Sequence, residues 1–109
     1  MHYNARMSDR LNQLQKMFDA DPTDPFVTYG IALEHAKTED FQTAIDWLDK
    51  TLDLDKHYCY AYFQKAKMLS ELGEDHDAKS VLNLGIKMAV ESGDDHAAQE
   101  INDLLEMME

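Results

Sequence analysis

Cysteine occurs once in this chain, proline twice and glycine four times. A lone thiol, Cys59, cannot close an internal disulfide, which argues against the small cross-linked scaffolds of secreted proteins and fits a reducing compartment. So few prolines and glycines exclude collagen-like and low-complexity classes. Bases are scarce as well: 10 lysines and arginines stand against 22 acids, a formal charge of −12. That balance repels a phosphate backbone and offers no basic stripe, so no nucleic-acid partner is expected. No apolar run approaches the length of a membrane span, and the opening "MHYNAR" has no hydrophobic stretch that could serve as a signal peptide. A cytoplasmic location with no membrane partner is therefore expected. Because "MSDRL" can itself serve as a natural start, residues 1–6 read as a leader or an expression remnant.

What remains is 109 residues, 44% of them hydrophobic, enough for one domain spanning 1–109. Apolar residues recur at helical spacing almost throughout, and no segment sustains the two-residue alternation of a half-buried strand. The fold class is all-α, with about six helices. Met7, Leu11, Leu14 and Phe18 share one face of a first helix, over 7–21, which "DADPTDP" stops. Asp24 can cap the second helix with Pro25 at its first position, where a missing N–H and a fixed φ cost nothing. That helix runs to about Lys37. Asp40 can cap a third, ending near Leu54, and a fourth carries "AYFQKAKMLSEL" until Gly73. Asp75 can cap a fifth, which Gly93 ends, and the last helix, over 94–108, sets Ala97, Ile101, Leu104, Leu105 and Met108 along one stripe.

Short turns between such helices imply antiparallel hairpins. One offset of 34 relates Ala44 to Ala78, Ala32 to Ala66, Leu48 to Leu82, Leu52 to Ile86, and Val27 to Ala61. A helical bundle without a repeat has no reason to keep one offset in five separate pairs. The period is that of the tetratricopeptide repeat, with its pattern W-x₂-L-G-x₂-Y, then A-x₃-F, then P. "TYGIALEH" and "AIDWL" fill the two blocks in one copy, over 25–58, and "YFQKAKML" and "AKSVL" in another, over 59–92. The chain thus resembles the tetratricopeptide-repeat family, and the resemblance implies a short right-handed α-solenoid of stacked helical hairpins. Pro22, 34 positions before Lys56, makes the first helix a degenerate half repeat. There are departures: Lys65 replaces a large apolar residue, which Ile31 supplies in the first copy. His35 replaces a large aromatic, Lys56 the turn proline, and Thr28 the favoured tryptophan.

Two helices cross closely only where side chains are small, so Ala32 with Ala44, and Ala66 with Ala78, are the expected seams. Two hairpins alone fall short of the three or so units that such arrays need, and the terminal helices are expected to cap the ends. Resemblance to the family further implies a groove for a peptide or helix of another protein, lined by the first helix of each repeat. By register it falls to Phe26, Tyr29, Gly30 and Leu33 of one copy and Tyr60, Phe63, Gln64 and Lys67 of the other. Four of these eight are aromatic, a composition suited to a partly apolar partner, and the acidic surface favours a basic one. Gly30 would leave room for close approach. Co-chaperones of the family grip a terminal carboxylate with several lysines and asparagines; here only Lys67 matches, so a chaperone-tail clamp is not expected. A secretion-type chaperone and a homodimer built on the aromatic face are the alternatives.

No enzyme is expected. The histidines are scattered, and no H-E-x-x-H, cysteine pair or glycine-rich phosphate loop occurs. His96 and Glu100, at i and i+4, can share a cation, but acids gather at helix N-termini for capping and dipole reasons alone, so neither a metal nor a cofactor is expected. Cys59 has no activating neighbour beyond Lys56 and His57, and a thiol at a helix start is more often filler than nucleophile.

Overall fold

The computed structural model describes residues 2–109, with side chains from residue 9 onward. Six helices make up those residues: α1 (His2–Ala20), α2 (Pro25–Lys37), α3 (Phe41–Leu54), α4 (Cys59–Glu71), α5 (Asp75–Ser92) and α6 (Asp95–Met108). Each packs on the next as antiparallel hairpins stacked in sequence, and α4 also packs on α6, giving a body of 40 × 29 × 19 Å. Ala32, Ala44, Ala66 and Ala78 are all fully buried, with Leu48 and Leu82 closed around them. Burying each of those leucines is worth roughly 1.5–3 kcal/mol. Leu14 of α1 closes a second, smaller core with Val27 and Ile31, against which Leu11 and Phe18 pack. Met7, expected on the same face, lies outside the residues whose side chains are described.

The turns are set by local chemistry. Asp24 accepts from the Phe26 N–H at 3.0 Å and Asp94 from the Ala97 N–H at 3.0 Å, satisfying donors that a helix start leaves free. Asp40 holds the N-cap position of α3 without a side-chain bond. Asp75 is not a cap: Glu74 precedes the helix and Asp75 opens it, accepting instead from the Ser70 hydroxyl at 3.2 Å. A carboxylate in the first turn still favours the helix through its dipole. Three helices end alike. In α2, α4 and α5 the chain closes with paired N–H to C=O bonds, such as Asp40 to His35 at 3.1 Å and Glu39 to Ala36 at 3.0 Å, around a residue of positive φ. That residue is Gly73 (80°) and Gly93 (75°) in two cases, and Glu39 (61°) in the third.

The two hairpins solve one packing problem in different ways. In the first, Thr28 and Thr51 meet in the interior, hydroxyl to hydroxyl at 2.7 Å, and both are fully buried. Each hydroxyl also lies 3.0 Å from a carbonyl of its own helix, Pro25 for Thr28 and Trp47 for Thr51. Two protons serve three contacts, so one threonine bonds its own carbonyl and the other bonds its partner. In the second hairpin, 34 positions on, Tyr62 faces Gly85. A Cβ on Gly85 would stand 2.7 Å from the Tyr62 Cβ and 3.3 Å from Ile101 Cδ1. The tyrosine takes the space that the glycine leaves, and its hydroxyl donates to the Lys56 carbonyl at 2.7 Å.

Lys65, which departs from the repeat pattern, is accommodated by an ion pair. Its stem lies half-buried on the stack and its ammonium reaches Asp49 of α3 at 2.7 Å.

Candidate functional site

The first helix of each hairpin, α2 and α4, presents a face that α6 extends. Two adjoining clefts lie on it. One, of about 190 Å³, is lined by Ala36, Phe41, Gln64, Lys67, Met68 and Glu71, bringing α2, α3 and α4 together. The other, of about 340 Å³, lies between α4 and α6 and is lined by Phe63, Lys67, Glu100, Asp103, Leu104 and Met107. Lys67 borders both, its ammonium 5.6 Å from the centre of the Phe63 ring, within cation–π range.

Seven of the eight residues assigned to a groove by register fall into three groups. Phe63, Gln64 and Lys67 line the clefts. Phe26, 66% exposed, stands free in the first turn of α2, and Leu33 is half-buried against the core. Tyr29 and Tyr60 are engaged within the stack. The Tyr29 ring packs on Tyr58 with centroids 4.9 Å apart, and desolvation there raises its hydroxyl above the usual 10.0, with the nearby Gln64 side chain working the other way. Tyr60 sits edge-on to Phe63 at 6.5 Å and donates to Glu100 at 3.2 Å. Desolvation, then the Glu100 carboxylate and the charge of Asp94, hold its hydroxyl above 10.0.

Gly30, the eighth, lies against α1. A Cβ there would meet Leu14 Cδ2 at 3.3 Å, so the close approach at this glycine is that of α1.

Sequence reasoning missed the contribution of α6. Its stripe of Ile101, Leu104 and Leu105 was expected only to close the end of the stack. Ile101 and Leu105 are buried in that way, but Leu104 is half-buried at the cleft and Met107 is 81% exposed beside it. The signal was present in Met107, an apolar residue off the buried stripe on an otherwise polar flank.

Several other polar groups pair on the surface, while buried Glu34 takes Lys37 and Arg10 on one oxygen and leaves the other, Oε1, without a partner. The His96 imidazole contacts the Glu100 carboxylate on the surface, and His57 Nε2 lies 3.1 Å from Glu91 across the second hairpin. Among the described residues no three His, Cys, Asp or Glu side chains gather where they could hold a metal ion, and no helix is long and apolar enough to cross a membrane. Cys59 is buried, with its thiol donating to the His57 carbonyl at 3.2 Å, and desolvation raises it above 9.0. A raised thiol lacks the thiolate character that reactivity needs.

No family model and no curated protein matches the sequence. Solved structures do. A tetratricopeptide repeat domain protein from Salinibacter ruber is 29% identical over 82% of this chain and 90% of its own, with a TM-score of 0.76. The TPR2B domain of yeast Sti1, solved as a complex with pHsp70, is 21% identical over 98% of this chain and 86% of its own, at a TM-score of 0.87. The type III secretion translocator chaperone SycD of Yersinia enterocolitica is 18% identical over 98% and 82%, at a TM-score of 0.85.

Proposed function

From a chain with the tetratricopeptide-repeat fold, we propose a noncatalytic module that docks a segment of another protein along the face built by α2, α4 and α6. The observation that carries it is the pair of clefts meeting at Lys67, whose walls hold Phe63, Leu104 and the exposed Met107. Apolar side chains left open on a rigid helical surface gain free energy when a partner covers them, and aromatic ones contribute the most per residue.

Such docking takes two forms, an adaptor or a chaperone for a partner that is insoluble alone. The chaperone form is the better supported, because the fold matches that of SycD, a secretion translocator chaperone, over nearly the whole chain. A surface of −12 also keeps a complex in solution when the bound segment is apolar.

The test is amide chemical-shift mapping on the full chain with three fluorescent 12-residue peptides. All carry leucines at the same positions, with lysine, glutamine or glutamate between them. At least one peptide should shift amides of α2, α4 and α6 while leaving the outward face of α3 unmoved. Shifts confined to α3 and α5, or none with any peptide, would overturn the proposal.

A further inference from the structure

We infer that the cleft between α4 and α6 seats a bulky apolar side chain of the partner together with an adjacent lysine or arginine. The inference rests on the docking function proposed above and names the chemistry that the site selects. It starts from shape and composition. The cleft, at about 340 Å³, is the larger of the two that meet at Lys67, and Phe63, Leu104 and Met107 supply its apolar wall. Pockets for organic groups begin at this size and combine such a wall with a few placed polar atoms.

Those polar atoms are acidic. Glu100 and Asp103 stand on the α6 side, against the single cation Lys67 on α4. The ammonium of Lys67 lies near the Phe63 ring, whose face attracts a cation. Glu100 accepts from Tyr60 and pairs with His96, and Asp103 accepts from the Gln99 amide at 2.8 Å. Each carboxylate has about four lone-pair sites, so each retains capacity for an incoming donor.

The sign of the field decides between occupants. A terminal carboxylate or an acidic segment would meet two acids and one base at the cleft and a chain of −12 behind them. A second copy of this chain carries the same charge and is repelled likewise. A basic, partly apolar segment is drawn in by the long-range field, and its cation reaches the rim carboxylates as its apolar neighbour reaches Met107.

Fluorescence anisotropy on the full chain, with the leucine–lysine, leucine–glutamine and leucine–glutamate peptides, tests this. The lysine peptide should bind at least tenfold tighter than the glutamine peptide, and the glutamate peptide weakest. Asp103→Lys and Met107→Asp should each weaken the lysine peptide at least fivefold. Asp46→Lys, which makes the same charge change on an exposed position of α3, should weaken it less than twofold. Asp103 and Met107 are both exposed, so circular dichroism should show these variants folded. Equal losses for Asp46→Lys and Asp103→Lys would reduce the effect to net charge and overturn the inference. Tighter or equal binding of the glutamine or glutamate peptide on the α2, α4 and α6 face would also overturn it, while leaving the docking function standing. Failure of every peptide to bind there would remove both.

Discussion

At the scale of single residues, the two glycines inside helices do opposite things, although both lie where a helix neighbour comes close. Gly30 faces the far end of Leu14, a flexible side chain that can move by the few tenths of an ångström a methyl needs. Gly85 faces the Cβ of Tyr62 at 2.7 Å, and a Cβ cannot move without its backbone. Alanine relieves the entropic cost of helical glycine by up to about 1 kcal/mol, whereas overpacking costs about 1–3 kcal/mol. Gly30→Ala should therefore raise stability by roughly 0.5–1 kcal/mol, and Gly85→Ala should lower it by about 2 kcal/mol. Urea midpoints read at unchanged slope separate the two. Shifts of the same sign would refute this account of the close approach. A third position, Glu39, holds φ at 61° where the equivalent turn of the second hairpin has Gly73. A left-handed residue with a Cβ costs roughly 1–2 kcal/mol, partly offset by the freedom that glycine gains when unfolded. Glu39→Gly should gain about 0.5–1 kcal/mol, or several degrees in Tm by thermal melt. A drop would mean that the carboxylate itself stabilises the turn.

At the scale of elements, the repeat period was legible because buried small residues cannot drift. Ala32, Ala44, Ala66 and Ala78 sit at full burial, where a larger side chain would force two helices apart. The exchange of Thr28 and Thr51 for Tyr62 and Gly85 was only half legible. Laying one copy over the other shows Tyr62 opposite Thr28 and Gly85 opposite Thr51, but not that the two changes, on different helices, answer each other in space. Lone glycine inside a helical pattern was the available clue, since it costs stability unless packing requires it. The clefts were legible on α4, through Phe63, Gln64 and Lys67, and on α6 only through Met107, which the repeat register does not reach. The reason is length: α5 runs 18 residues where α3 runs 14, so α6 falls out of the register that located the other lining residues. The approach of Leu14 to Gly30 was not legible, because register alone does not say which positions of α2 the preceding helix meets.

At the scale of the whole molecule, four tyrosines tie the stack together, and they give it a pH dependence at the alkaline end. Tyr29, Tyr58, Tyr60 and Tyr62 are all raised above the ordinary 10.0, in each case first by desolvation. Neighbouring acids add to this at Tyr58, Tyr60 and Tyr62, as expected in a chain of −12. A raised value means that the folded chain holds these protons more tightly than the unfolded chain does. Their contribution is fully present below the unfolded value near 10.0, and it is lost as pH rises through the folded values. Between neutral pH and about 9 the unfolded tyrosines keep their protons too, so this contribution stays flat there. Urea denaturation at pH 7, 9 and 11 should show no tyrosine-linked loss between the first two and a clear loss at the third. Tyrosinate absorbance, titrated in buffer and again in urea, checks the cause directly, because the folded midpoints should fall back toward 10 once the chain unfolds. Tyr62→Phe removes one of the four along with its bond to the Lys56 carbonyl. It should lower stability at pH 7 and flatten the alkaline slope, and an unchanged slope would place the linkage elsewhere.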